Sequence, residues 1–483
     1  MTLPAPGEPT TEVRYLRAGN VVATASVPGH LLELGALPRT VTLHRRADGD
    51  VDLIEDPDPR LECCGRLILP SLGRAGPATT PMDVPAPPPF SDDDVRAMWE
   101  ARNRLLTRRR PATSGTAAWS ALERSLGPQL DWLALADALA TAGRLLSGWP
   151  HRPVPAVAWL PVDRARGRLL VSITDRSPRS HVAPAGATGA PAQTARRITT
   201  PQERTLHALA AVSALVGDRI AALTVPAPQQ EIRDQLAGRF RQVAHRSRPR
   251  RPVADPAPSA WPPLFTSTYS ACLRVLSTLH DAGPGTSLAP LSEVWELYES
   301  WVVEQTLTAL EGELGNSGRV APVGSCIGHW ADGAGQVELH YQPQIPTATT
   351  PYPATLLGQG YVTVLGSLQP DALLLRREAT LVRSAVIEAK KRTAVMDSED
   401  FTLHASKYLW GIRHADAPAA VPAISGTAIV APLGGPTSAL PGGKAGVLTA
   451  HPTTGWPPKA ATALLDLVRG TPPPPASWHA PWT

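Results

Sequence analysis

Only four cysteines, Cys63, Cys64, Cys272 and Cys326, occur in the 483 residues. So few make no disulfide framework, and the adjacent Cys63-Cys64 pair has no CxxC partner, which argues against a zinc site there. No stretch approaches the roughly 20 consecutive apolar residues of a membrane span. Met1 to Glu8 carry neither the basic n-region nor the apolar h-region of a secretory leader, so the chain is expected in the cytoplasm without a membrane partner. Charge is sparse at 18% and nearly balanced, 46 Lys+Arg against 42 Asp+Glu, for a net +4. That balance permits a nucleic-acid partner without demanding one. There is no Walker-type Gly-x-x-x-x-Gly-Lys-Ser/Thr loop, and no repeat at a period of about 20–50 residues.

Proline is plentiful instead, 53 of 483 residues, about twice the usual ~5% share. The chain therefore reads as folded blocks joined by stiff connectors. Residues 12–72 predict short β-branched strands with turns at Gly19-Asn20 and Asp48-Gly49-Asp50. Residues 74–90, ending in Pro87-Pro88-Pro89, predict a linker. Ser91 followed by Asp92-Asp93-Asp94 predicts a capped helix running to about Arg110. Two helices are expected over 116–148, a strand at Leu169–Ile173, and further helices over 200–223, 227–245, 264–281 and 291–314. After Gly315 the pattern predicts strands at 337–341, 361–365, 372–375 and 384–390, a helix over 400–414, a strand at 427–431 and a helix over 457–469. Three parts follow: a β-rich N-terminal module (1–75), a mainly helical middle region with proline-rich linkers (90–285) and an α/β domain (286–470).

The chemistry is concentrated in the third part. Asp371 begins one apolar strand, and about 17 residues later another ends in Glu388-Ala389-Lys390. Glu388 and Lys390 are two apart, so a strand projects them to one face, and a hairpin would bring Asp371 alongside. Asp371 and Glu388 are the residue types that hold Mg2+, a hard cation preferring oxygen ligands, with the Ala389 carbonyl as a further ligand. Lys390 is placed to orient a water and to neutralise charge developing on a phosphate. A Glu-x-Lys pair can equally be a plain salt bridge. Arg239, Arg241, Arg248 and Arg250 lie in a basic stretch that can track a phosphate backbone or serve as a solvated linker. His404 and His414 have no partner at metal spacing.

Pro370-Asp371 followed by Glu388-Ala389-Lys390 resembles the PD-(D/E)xK nuclease superfamily. Leu291 to Trp301, with Leu297-Tyr298-Glu299-Ser300-Trp301, is similar to the Leu-Tyr-Glu-x-Trp helix of McrC-like nucleases, the nuclease subunits of McrBC-type restriction systems. The resemblance implies a restriction-endonuclease-like fold in the C-terminal domain. It makes Glu299 an acid of the site, with Glu296 one turn away as the other candidate. It also aligns Asp400 to Leu409 with a helix bearing a Tyr or Gln near the metal. Tyr408 and Lys407 are carried over from that helix, although the usual Lys-Met-His-x-Tyr order is not kept and Tyr408 also reads as a core aromatic.

The expected activity is thus Mg2+-dependent hydrolysis of DNA phosphodiesters, with Mn2+ able to substitute. Asp371, Glu388, Lys390 and Glu299 form the site. The resemblance further implies antiviral defence or restriction alongside a separate AAA+ NTPase. The competing expectation is a non-catalytic adaptor with a nuclease-like fold, and an RNA substrate would use the same site.

Overall fold

In a computed structural model of the chain, the described residues are 10–108, 132–147, 157–161, 182–183, 193–197, 201–247, 263–279, 289–315, 325–345, 361–414, 424–436 and 444–470, apart from gaps of one or two positions. The order opens with β1 (Thr10–Arg17), β2 (Asn20–Pro28), β3 (His30–Leu31), β4 (Val41–Arg45), β5 (Val51–Glu55), β6 (Cys63–Gly73) and β7 (Gly76–Val84). A four-stranded sheet runs β2-β1-β5-β4, and the long β6 pairs with β3 and β7. The β1–β2 hairpin closes on Ala18 and Gly19, both at positive φ, the arrangement that suits the twist of a two-residue hairpin. Alternate residues Val13, Tyr15, Val51 and Leu53 pack against Leu69, Met82 and Val84 to form this module's core.

The linker expected over 74–90 is not what forms: residues 76–84 are strand β7, antiparallel to β6. Among the described residues β7 pairs only with β6, so it lies at an edge. Pro77 and Pro81, which cannot donate to a ladder, are tolerated there. The β module accordingly extends to Val84.

The middle of the chain contains α1 (Asp92–Arg108), α2 (Trp132–Ser147), β8 (Val157–Pro161), β9 (Val182–Ala183), β10 (Gln193–Arg197), α3 (Pro201–Ala221), α4 (Ala227–Ser247) and α5 (Pro263–Leu279). Helices α2 to α5 share a core of Leu145, Leu209, Val212, Phe240, Tyr269 and Leu276. Strands β8, β10 and β9 make a small antiparallel sheet. The strand expected at 169–173, and the first of the two helices expected over 116–148, fall outside the described residues. Helix α1 belongs elsewhere: Val95, Met98, Trp99 and Leu105 join the core of the C-terminal domain.

That domain comprises β11 (Ser292–Glu293), α6 (Val294–Leu314), β12 (Cys326–Asp332), β13 (Gly335–Tyr341), β14 (Tyr361–Thr363), β15 (Ala372–Glu378), β16 (Leu381–Ala389), α7 (Ser398–Gly411), β17 (Ile412–His414), β18 (Ile424–Ala431), β19 (Ala445–Thr449) and α8 (Ala460–Arg469). A six-stranded sheet is ordered β12-β13-β15-β16-β18-β19. The first four strands form an antiparallel meander, and β18 and β19 add in parallel. The domain is therefore mixed α/β, with α7 inserted between the parallel β16 and β18.

The sheet is covered on both faces, and its sequence shows why. Ala372, Leu374, Ala385 and Ile387 face α6, α8 and α1, while Leu373, Leu375 and Val386 face Phe401, Ala405 and Tyr408 of α7. Strands buried on both faces read as continuous apolar runs, as Ala372 to Leu375 does. Helix α6 is buried around most of its girth, as expected for a helix enclosed by neighbours.

The N-terminal module is joined to this domain by main chain. β11 extends the β6 sheet, pairing Ser292 with Cys64 and Glu293 with Cys63, and runs directly into α6. Gly65, at φ 110°, permits this approach: a Cβ there would stand 2.4 Å from the Ala289 carbonyl oxygen.

Candidate active site

The pairing of β15 with β16 brings Ala372 opposite Ile387. One residue further on, Asp371 faces Glu388 at the same end of the sheet. The Asp371 carboxylate accepts the backbone N–H of Ala389 at 2.7 Å, and its own N–H lies 3.4 Å from Glu388 Oε2. The Asp371 carbonyl accepts the N–H of Gln342 at 2.9 Å, which ties in the end of β13. Three strand ends thus converge on one aspartate.

Glu388 is buried and doubly held. Lys390 Nζ stands 2.5 Å from Oε1, and the Tyr408 hydroxyl donates to Oε2 at 2.8 Å. Tyr408 is itself buried, and burial together with the Glu388 charge raises its phenol, keeping it a neutral donor. Lys407 lies over the Tyr408 ring at 4.9 Å. The Tyr408 side chain is thus a core aromatic that also donates a hydrogen bond to Glu388.

Glu299 enters from α6 on the opposite layer, where it is 3% exposed and accepts Gln342 Nε2 at 2.6 Å. Burial pushes its carboxyl up to about 7. The Gln342 hydrogen bond opposes that rise, and the Glu388 charge adds to it. Asp371 is also pushed well up, first by burial and then by Glu388 and Glu299, with Lys390 and the Ala389 N–H opposing. Glu296 instead faces Arg102 of α1 at 3.8 Å. Of the two candidate acids, Glu296 and Glu299, Glu299 is the one beside the cluster.

Sequence reasoning missed Gln342, which holds Glu299 from a loop position with no motif around it. It also gave His404 no part in the site. That residue sits one turn before Tyr408, half-buried, and its imidazole is lowered by burial and by the nearby Lys390. Arg392 joins it at 3.4 Å while pairing with Asp400 at 2.6 Å. The i, i+4 spacing of His404 and Tyr408 was the available signal.

The arginine stretch does not join this cluster. Arg239 and Arg241 are exposed on α4, whose core is that of the helical region, and Arg241 pairs with Asp218 at 3.0 Å. Arg248 and Arg250 lie outside the described residues.

The donor set suits a hard divalent cation: carboxylate oxygens only, with burial first and neighbouring like charge second raising Glu299 and Asp371. The three acids do not all lie within 4.8 Å of one another; among the described residues that closeness is met by Cys326, Glu338 and His340. Asp371 and Glu388 are directly opposed on neighbouring strands. No helix among the described residues is long and apolar enough to cross a membrane. The chain matches no protein-family model, no curated protein and no solved structure.

Proposed function

We propose that the chain is a Mg2+-dependent endodeoxyribonuclease whose C-terminal domain has a restriction-endonuclease-like fold. One observation carries the reading. Asp371, Glu388 and Lys390 of one strand pair and Glu299 of the distant α6 come together at one end of one sheet, where Glu388 and Lys390 act on the buried Asp371 and Glu299 carboxyls.

Asp371, Glu388 and the Ala389 carbonyl would hold the ion. Bound there, Mg2+ supplies Lewis-acid polarisation of the scissile phosphate and a more acidic water. The chain's own groups do the rest. The Ala389 N–H fixes the Asp371 carboxylate, and Tyr408 and Lys390 fix the two oxygens of Glu388. Lys390 carries a positive charge to the site's edge, where it offsets the charge that grows on phosphate oxygens as water adds and the P–O bond breaks. Glu299, poised near neutrality, can take the proton that the water loses. Lys407, beside Tyr408, would contact the nucleic-acid backbone. Cooperation with a separate AAA+ NTPase, in restriction of foreign DNA, completes the proposal.

A scaffold with no catalysis is the second reading. It is favoured by the close Lys390–Glu388 pair, which also serves as an ordinary ion pair. Purified protein incubated with plasmid and phage DNA and Mg2+, alone and with a co-encoded NTPase, separates the two. Cleavage that disappears in Asp371→Ala and in Lys390→Ala supports the nuclease. No cleavage by any form, with partner binding intact in all, supports the scaffold.

A further inference from the structure

We propose that Cys326, Glu338 and His340 form a second metal site, selective for zinc and separate from the carboxylate cluster. Cys326 begins β12 and lies opposite His340 of β13 in the ladder. Glu338 is two residues before His340, so both leave the same face of β13. That face is opposite to the one presenting Val337, Leu339 and Tyr341 to the α6 core. All three side chains are buried, at 4%, 0% and 3% exposure, and one donor atom from each lies within 4.8 Å of the others.

An independent observation points to a ligand. Glu338 Oε1 has no hydrogen-bond partner among the described residues, although the side chain is fully buried. A buried carboxylate oxygen without a partner costs heavily, and a coordinated cation removes that cost.

His340 is also set for coordination, while the Cys326 thiol, 3.4 Å from the Gly328 carbonyl oxygen, would exchange that contact for the metal. His340 Nδ1 lies 3.0 Å from the Ser325 hydroxyl oxygen. With Nδ1–H donating there, Nε2 turns its lone pair toward Glu338, the support that metal-bound histidines receive from a neighbouring group. His340 Nε2 and Glu338 Oε2 stand 3.0 Å apart. Two such donors on one tetrahedral zinc would be about 3.3 Å apart, so a few tenths of an ångström of movement suffices. A thiolate, an imidazole and a carboxylate select zinc over magnesium, and three protein ligands leave a fourth position for water.

Cobalt is the probe. The full-length protein is stripped with chelator and titrated with Co2+, and Zn2+ is then added. The expected result is a near-ultraviolet thiolate-to-cobalt band saturating at about one equivalent and abolished by Zn2+, but not by excess Mg2+. Cobalt at the carboxylate cluster gives no such band. Cys326→Ser should lose the band, while Cys272→Ser, in the helical core, should keep it. Glu338→Gln, nearly isosteric, and Ser325→Ala should each weaken cobalt binding about tenfold or more. A wild type without the band, a band that survives Cys326→Ser, or unchanged affinity in folded Glu338→Gln overturns the site.

Discussion

Lys391 Nζ reaches Glu62 Oε2 at 2.6 Å and the Pro59 carbonyl at 2.8 Å, joining positions 329 and 332 residues apart in sequence. The lysine follows directly on the Glu-x-Lys strand end and its side chain is only 2% exposed. The N-terminal module therefore braces the segment that bears Lys390 as well as the entry to the helix that bears Glu299. Lys391→Met keeps the buried stem but strands the Glu62 charge. A loss of about 3 kcal/mol is expected, as when one partner of a buried pair is removed. Denaturant unfolding of Lys391→Met, Glu62→Gln and the double variant checks this. The double variant should recover at least about 1 kcal/mol of the summed loss, and strict additivity would count against the brace.

The main-chain half of the same junction rests on Gly65. Its φ of 110° disfavours any side chain, and the Ala289 and Pro290 carbonyls crowd the place of a Cβ at 2.4 and 2.8 Å. Gly65→Ala should cost about 2 kcal/mol or more. It should also raise hydrogen exchange at Arg66, Leu291 and Val294, whose N–H groups close the junction. Protection unchanged at those three amides would show that the junction tolerates the methyl.

The opposed Asp371 and Glu388 were legible because carboxylates at the ends of apolar strands leave a sequence signal. Glu299 was legible only through the helix around it, Leu297 to Trp301, since a buried glutamate on an enclosed helix has no periodic mark of its own. Gln342 left none: its role depends on a turn that brings the end of β13 beneath Asp371. Strand β7 was misread because its composition is that of a linker, and the edge position that makes Pro77 and Pro81 acceptable exists only once β6 is in place. Helix α1 was legible as a helix from its cap and acids. That Trp99 packs in the C-terminal core was not, because amphipathicity shows that a face is buried and not against what.

Without a divalent cation, the acid cluster should make stability fall as pH rises. Glu299 titrates near 7 in the folded chain against a usual 4.5. The folded state thus holds a proton that the unfolded state has released. Stability on this account is full below about 4.5 and is lost as pH climbs to about 7, by about 3 kcal/mol. Asp371, also raised, adds in the same direction. Unfolding free energies from pH 4.5 to 8 in chelator should show the decline. Glu299→Gln should flatten it, and Mg2+ should restore stability at pH 8. An unchanged slope in Glu299→Gln would place the titration elsewhere.

Lys390→Gln separates a working ammonium from a structural one. The Lys390 side chain is about a quarter exposed, and Glu388 keeps its bond from Tyr408 when the lysine is lost. Because Glu388 is buried, losing the ammonium should cost about 2 kcal/mol, less than the roughly 3 kcal/mol of a fully buried pair since the Tyr408 bond remains. Mg2+ binding, held by Asp371 and Glu388, should persist or tighten, since the competing cation has gone. Cleavage should nonetheless fall by about 100-fold or more, because the charge that offsets the developing negative phosphate is absent. Calorimetric Mg2+ titration, thermal unfolding and plasmid nicking on one preparation read all three. A variant that loses stability heavily while cleavage per folded molecule is unchanged would make the Lys390–Glu388 pair a structural ion pair and remove Lys390 from the chemistry.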